Sequence, residues 1–180
     1  MTPAFTKLGE VELVHSKVFR VVRSRFTDGS GEEFERTIVH HPGAVAVVPL
    51  HDDGTVTLVR QYRVALEGEL LELPAGTRDV AGEPESVTAA RELAEEAGLS
   101  AGRMEHLTTF HNAPGMSDET IALFLARDLD EVPHDRQSVE EHAMTVERLP
   151  LPLLVEMIDD GRLTDAKTII GLTLAARRLE

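Results

Sequence analysis

The sequence predicts an α+β fold: a mixed β-sheet sandwiched between helices, with an antiparallel β-hairpin layer ahead of it. Three observations lead there. Short β-branched runs recur through residues 11–74 and again through 105–150. A strongly periodic helix at 86–97 interrupts them, and two further helices close the chain. The order strands, helix, strands, two helices lacks the alternation of a doubly wound βαβ sheet.

Taken in order, residues 1–12 are mixed, and residues 11–26 read as one or two strands. VFRVVRSRF interleaves β-branched residues with arginines, as a half-exposed sheet does. Asp28-Gly29-Ser30-Gly31 is a turn, and 34–39 returns as the second arm of a hairpin. His41-Pro42-Gly43 punctuates the chain, so residues 1–40 form an N-terminal β region and 41–180 the main domain. AVAVVPL (44–50) is a buried strand, VTLVRQY (56–62) the next, and LLELP (70–74) a short third. Ser86 reads as the N-cap of the helix, with Glu83 and Glu85 suited to its start, and Gly98 stops it. Strands follow at 105–110 and 120–125, with HNAPGMSDE (111–119) between them. Residues 128–142 are an acidic loop, 144–150 a strand, 151–159 a helix ended by Gly161, and a last helix starts at Thr164 or Asp165.

Composition narrows the function classes. Hydrophobic residues make up 42% and aromatics only 4%, with no Trp, so the core is built of Leu, Val, Ile and Ala. Thirty-two acidic residues face 18 basic ones, a formal charge of -14. A generic nucleic-acid binder needs a basic face to neutralise phosphates, so none is expected here. The chain has no Cys, which excludes disulfides, thiolate metal sites and a Cys nucleophile. No apolar run approaches the roughly 18 residues of a membrane span, and the first residues lack a signal-peptide core. A cytoplasmic protein without membrane contact is the expectation.

The chemistry concentrates at residues 76–99. Ala90, Leu93, Ala94 and Ala97 recur at helical spacing and read as one narrow apolar face. Glu92, Glu95 and Glu96 stack within about one turn on the opposite side. Such like-charged neighbours repel by a few tenths of a kcal/mol per pair, which solvent or a bound cation offsets. An all-oxygen donor set suits Mg²⁺, with Mn²⁺ as a substitute. The three glutamates alone are equally an ordinary solvated acidic face. Their flanks are more telling: Leu73-Pro74-Ala75-Gly76 precedes the helix, Arg91 sits beside the glutamates, and Gly98 closes it.

The segment from Gly76 through Glu83 to Arg91-Glu92-Leu93-Ala94-Glu95-Glu96-Ala97-Gly98-Leu99 resembles the Nudix box: Gly, five residues, Glu, seven residues, then Arg-Glu-apolar-x-Glu-Glu-x-Gly-apolar. From Glu83 onward the match is complete. Six residues rather than five separate Gly76 from Glu83, an insertion that alters the loop and leaves the helix register intact. VRQYR (59–63), LLELPAG (70–76), APGMSDE (113–119), EEHAMTV (140–146) and DAKTIIGL (165–172) further resemble the ADP-ribose pyrophosphatase branch. GTRDVAGEP is similar to its actinobacterial members. The resemblance covers roughly residues 40–175.

The resemblance implies a Nudix fold and Mg²⁺-dependent hydrolysis of ADP-ribose to AMP and ribose 5-phosphate by directly attacking water. It makes Glu92 and Glu96 primary metal ligands, Glu95 a further ligand, and the Ala75 carbonyl the completion of the shell. Gly76, Glu83, Arg91 and Gly98 become structural or outer-shell residues, with Arg91 orienting a box glutamate. The general base of this branch lies in the acidic loop, where Glu141 is favoured over Glu140; His142 beside them reads as a surface histidine. Arg63 becomes a substrate contact, and Arg36 serves the same end from a partner subunit; either is otherwise an ordinary surface arginine. Met116, Ser117, Asp118 and Glu119 belong to a loop that shapes the substrate or metal site. Phe26 or Phe34 is a candidate to stack on the base. Relatives of this branch are homodimers whose N-terminal strands pack on the partner, which suits a hairpin with little core of its own.

Two rivals stand beside this reading. One keeps the chemistry and changes the substrate to a nucleotide sugar, a dinucleoside polyphosphate or an oxidised nucleotide. The other is a Nudix-fold nucleotide-binding regulator without turnover, against which an intact box argues. A substrate panel and a metal titration separate the three.

Overall fold

The β-branched runs of the first forty residues pair into a three-stranded antiparallel sheet. Strands β1 (Phe5–His15), β2 (Arg20–Asp28) and β3 (Glu33–His40) lie in that order. The computed structural model describes residues 4–134 and 142–179. Its contacts separate two compact units, Met1–Gly43 with His111–Thr120, and Ala44–Phe110 with Ile121–Glu180.

In the first unit the turn signals do their work locally. Ser16 Oγ accepts from the amides of Val18 and Phe19 between β1 and β2. Asp28 Oδ1 accepts from Ser30 and Glu32 between β2 and β3, with Gly31 at φ +93°, a backbone region that favours glycine. The N-terminal layer is therefore one strand richer than a hairpin, because residues 5–15, which lack a clean period, pair along β2. Every residue of β1 is exposed, including Phe5, Leu8, Val11, Leu13 and Val14. Segment 111–120 is held on β3 by backbone bonds from Val39 to Met116 and from Asp118 to Val39.

In the second unit, β4 (Ala44–Pro49) is the axis. It runs parallel to β9 (Thr120–Glu131) and antiparallel to β7 (Ala75–Thr77), in a sheet ordered β7-β4-β9-β8 with β8 at Leu99–His111. Strands β5 (Thr55–Arg63), β6 (Gly68–Glu72) and β10 (Thr145–Pro150) form an antiparallel sheet, β10-β5-β6. Helices are α1 (Glu85–Ala97), α2 (Leu151–Asp159) and α3 (Ala166–Ala176). Successive side chains of a strand point to opposite faces, and β4 buries both. Val45 and Val47 meet Ala89, Leu93 and Ala97 of α1. Ala46 and Val48 meet Leu58, Leu73, Leu154 and Leu172, drawn from strands and the two later helices. The mixed sheet thus lies between α1 and the α2–α3 side, with an antiparallel layer before it in sequence. Gly171 lets α3 approach closely, since a Cβ there would lie 2.6 Å from Leu73 Cδ1.

Two details of the box helix differ from the sequence reading. Its N-cap is Pro84, without a side-chain cap, and not Ser86; proline suits this end because it lacks the amide that would go unbonded. Its core-facing residues are Ala89, Leu93 and Ala97, while Ala90 is exposed. The apolar face is rotated by about one residue, because α1 must also present Glu92 and Glu96 to β7. Among the described residues no helix is long and apolar enough to cross a membrane.

Candidate active site

The short strand β7 and the middle of α1 build the site. Ala75 pairs with Ala46 on β4, and the amide of Val47 donates to the Pro74 carbonyl at 2.9 Å. The backbone of residues 74–76 is thereby fixed as a rail beside the helix. The Ala75 amide donates to Glu96 Oε2 at 2.9 Å. At Gly76, a Cβ would stand 1.9 Å from Glu92 Cδ and 2.2 Å from each of its carboxyl oxygens. Glycine leaves that space, and the Glu92 carboxyl fills it.

Glu92 and Glu96 are consequently buried, at 9% and 6% exposure. They do not line a solvated face, as spacing on an isolated helix implies. Burial pushes the Glu92 carboxyl up to about 7, with Arg91 opposing the shift and Glu95 adding to it. Arg91 Nη1 donates to Glu92 Oε1 at 2.8 Å and to Glu95 Oε2 at 3.1 Å. Its Nη2 lies 3.5 Å from both Glu83 and Asp79. Asp79 belongs to the loop with the extra residue, so one guanidinium joins that loop to the helix. Glu83 also accepts from Thr88 Oγ1 at 2.7 Å, closing the first turn of α1. Gly98 caps the helix at φ +65°.

Among the described residues, no three His, Cys, Asp or Glu side chains converge into a ready-made metal shell. The donors nonetheless fit a divalent cation. Glu92 and Glu96 are buried carboxylates, half-buried Glu95 is about one turn from Glu92 and next to Glu96, and the Ala75 backbone runs beside them. Hard oxygen donors of this kind suit Mg²⁺. The open space at Gly76 admits a carboxylate where any side chain would exclude it.

Arg63, at the end of β5, does not stand alone. Its Nε and Nη2 donate to Glu72 Oε1 and Oε2 at 2.7 and 2.6 Å. Glu72 is fully buried on β6 and also receives Lys167 Nζ from α3. Burial alone would raise its carboxyl, but Arg63 and Lys167 outweigh that and hold it below the usual range. Asp165 bonds Lys167 at 3.0 Å and caps α3 by accepting from Thr168. Thr168 Oγ1 in turn accepts from the Leu73 amide at 2.9 Å. The sequence reading missed this buried ion group. Its signal was a lone acid inside the apolar run LLELP and a lone lysine opening the apolar helix DAKTIIGL.

Arg36, Met116, Ser117, Asp118 and Glu119 lie in the first unit. Arg36 Cζ sits 4.8 Å from the Phe34 ring centroid. Phe34 stacks on Phe26 at 5.5 Å. A cavity of about 650 Å³ within this unit is lined by Phe26, Phe34, Arg36, Met116, Ser117 and Asp118, among others. Asp118 Oδ2 lies 2.5 Å from His40 Nδ1, and its Oδ1 accepts from the His41 amide. Glu119 accepts from Asn112 Nδ2 and lies 3.5 Å from His41. Met116 is exposed. Glu140 and Glu141 lie outside the described residues.

The family model described as NUDIX domain matches residues 40–166. The chain is 38% identical over 162 residues to an ADP-ribose pyrophosphatase of Mycobacterium tuberculosis, covering 89% of this chain and 78% of that protein. It is 30% identical over 174 residues to a GDP-mannose pyrophosphatase of Pectobacterium atrosepticum, covering 92% and 88%. A crystal structure of an ADP compounds hydrolase superposes with a TM-score of 0.85 at 24% identity, covering 98% of this chain and 95% of that one. That last likeness bears on the fold alone.

Proposed function

The chain belongs to the Nudix hydrolase family, and from that membership we propose that it cleaves the diphosphate of a nucleoside diphosphate joined to a sugar, ADP-ribose foremost, with Mg²⁺ as cofactor and Mn²⁺ as its substitute. The observation that carries the proposal is the buried pair Glu92 and Glu96 set against Ala75 and Gly76.

Glu92 and Glu96 would hold the metal, with Glu95 and the Ala75 carbonyl completing the donors. When bound, the cation screens the diphosphate and makes water more acidic. Arg91 orients Glu92 and Glu95 through its Nη1 bonds. Arg63 presents a fixed guanidinium to a phosphate oxygen. Glu141, or Glu140 beside it, takes the proton from water. The water oxygen bonds one phosphorus, the bridging P–O bond breaks, and AMP and ribose 5-phosphate leave. Arg36, Met116, Ser117, Asp118 and Glu119 would serve substrate recognition. The exposed apolar side chains of β1 support assembly as a homodimer.

Similarity to a GDP-mannose pyrophosphatase favours a second substrate, GDP-mannose, handled by the same box. Hydrolysis of ADP-ribose, GDP-mannose, diadenosine polyphosphates and oxidised nucleoside triphosphates, each with Mg²⁺, decides between them. ADP-ribose should give the highest kcat/KM, and Glu96→Gln should abolish turnover of every substrate. Turnover undiminished in Glu96→Gln would overturn the metal assignment.

A further inference from the structure

Arg63 is held by more charge than its own neutralisation requires. Glu72 is fully buried, and the Arg63 fork already satisfies both of its oxygens. A single arginine balances a single carboxylate. Yet a second cation, Lys167, reaches Glu72 Oε2 from α3 and is itself only 8% exposed. Asp165 shares that ammonium. Buried ion groups are a poor source of net stability, since desolvation offsets their attraction, and their best use is to specify one geometry.

The geometry specified here is that of the Arg63 guanidinium. Its Nε and Nη2 are spent on Glu72, which leaves Nη1 on the outer edge of the plane, and the side chain is 43% exposed. The charge of Glu96, on the box helix, also acts on Arg63, so this guanidinium belongs to the electrostatic surroundings of the box. Lys167 fixes Oε2 from one side, and Asp165 and Thr168 anchor Lys167's own turn to the backbone of Leu73, next to Glu72. The carboxylate plane of Glu72 cannot rotate without breaking bonds to both cations, and the Arg63 plane follows it.

We propose that Lys167 is a positioning residue: acting through Glu72, it locks the plane of Arg63 so that Nη1 meets an oxyanion of the diphosphate. This rests on the diphosphate-cleaving reading above. Lys167 touches no substrate; it determines how well Arg63 does.

The test uses the full chain and three readouts. The first is the ¹⁵Nε–¹H NMR signal of Arg63, which reports guanidinium rotation without any substrate. It should be sharp in the wild type, broadened in Lys167→Met and restored in Lys167→Arg. The second is kinetics with ADP-ribose and GDP-mannose: Lys167→Met should raise KM about tenfold and change kcat by less than threefold, the signature of a lost ground-state contact. The third is a double-mutant cycle: in an Arg63→Ala background, Lys167→Met should have no further effect on kcat/KM. If Lys167→Met destabilises the fold, Glu72→Gln with Lys167→Met removes both charges together and carries the same expectations. An unchanged Arg63 signal, or losses from Arg63→Ala and Lys167→Met that multiply, would overturn the positioning role. Absence of turnover on every substrate in the wild type would instead sink the functional reading, while the NMR signal would still decide the positioning.

Discussion

The Glu92 carboxyl occupies the volume that any side chain at residue 76 would need, with Cδ 1.9 Å from the position of a Gly76 Cβ. The glycine that opens the box is therefore a steric complement to a buried carboxylate of its helix. Gly76→Ala should expel Glu92 and lower kcat/KM by at least a hundredfold, about 3 kcal/mol of transition-state stabilisation. Overpacking should also cost about 1–3 kcal/mol of stability. Steady-state kinetics beside urea unfolding checks both; wild-type activity in Gly76→Ala would show that Glu92 need not sit there.

Glu92 should make metal-free stability depend on pH. Burial raises its folded carboxyl to about 7, above the unfolded value of roughly 4.3. Its contribution is thus fully present below the unfolded value and is lost as pH rises through about 7. In chelator, the thermal midpoint should fall across that interval, and Glu92→Gln should flatten the fall. A midpoint equally pH-dependent in both proteins would refute the assignment.

Metal should reverse that loss. Ligands that bind the folded state alone stabilise it by RT ln(1 + [L]/Kd), about 2.7 kcal/mol at a hundredfold excess over Kd. Mg²⁺ or Mn²⁺ should raise the thermal midpoint of the wild type at pH 8. Glu96→Gln should respond weakly or not at all in the same titration, and an undiminished shift would move the ligands elsewhere.

At the other end of α1, a Cβ on Gly98 would lie 2.8 Å from the His134 ring, at a φ of +65°. Gly98→Ala carries two penalties, a left-handed backbone and a ring clash, together about 2 kcal/mol. In a His134→Ala background only the backbone part, about 1 kcal/mol, should remain. Denaturant unfolding of the four proteins separates the two, and a full penalty in both backgrounds would remove the ring from the account.

Strand β1 should report assembly. Val11 is 67% exposed and Phe5 55%, an apolar strand that a second copy would cover. Sedimentation should show a dimer for the wild type and a monomer for Val11→Lys with Leu13→Lys. A wild-type monomer at micromolar concentration would dismiss the dimer.

Much of this was legible in the sequence because it is periodic or punctuated. The unbroken run AVAVVPL marked the doubly buried β4, Gly98 marked the end of α1, and Asp165 stands at the N-cap of α3. What escaped depends on partners distant in sequence. Helical spacing placed the glutamates opposite the apolar stripe, yet nothing local says that β7 lies there and buries two of them. Three residues of strand carry no period, so β7 was invisible. Nor does any local pattern connect Glu72 with Lys167, which meet across the fold. β1 was obscured by two bulges, between Lys7 and Gly9 and between Glu12 and Val14, which break its alternation.

The bond from the Leu73 amide to Thr168 Oγ1 also bears on when, during synthesis, the protein becomes competent. Chains emerge N-terminus first, at about 5–20 residues per second. Every strand and the whole box helix leave the ribosome before residue 168. Until α3 follows, the Leu73 amide lacks its acceptor and Glu72 lacks its second cation. The nascent chain can shape the box helix and pair residues 74–76 with β4 early, but Leu73, which leads into that rail, is tied down only when the last helix docks.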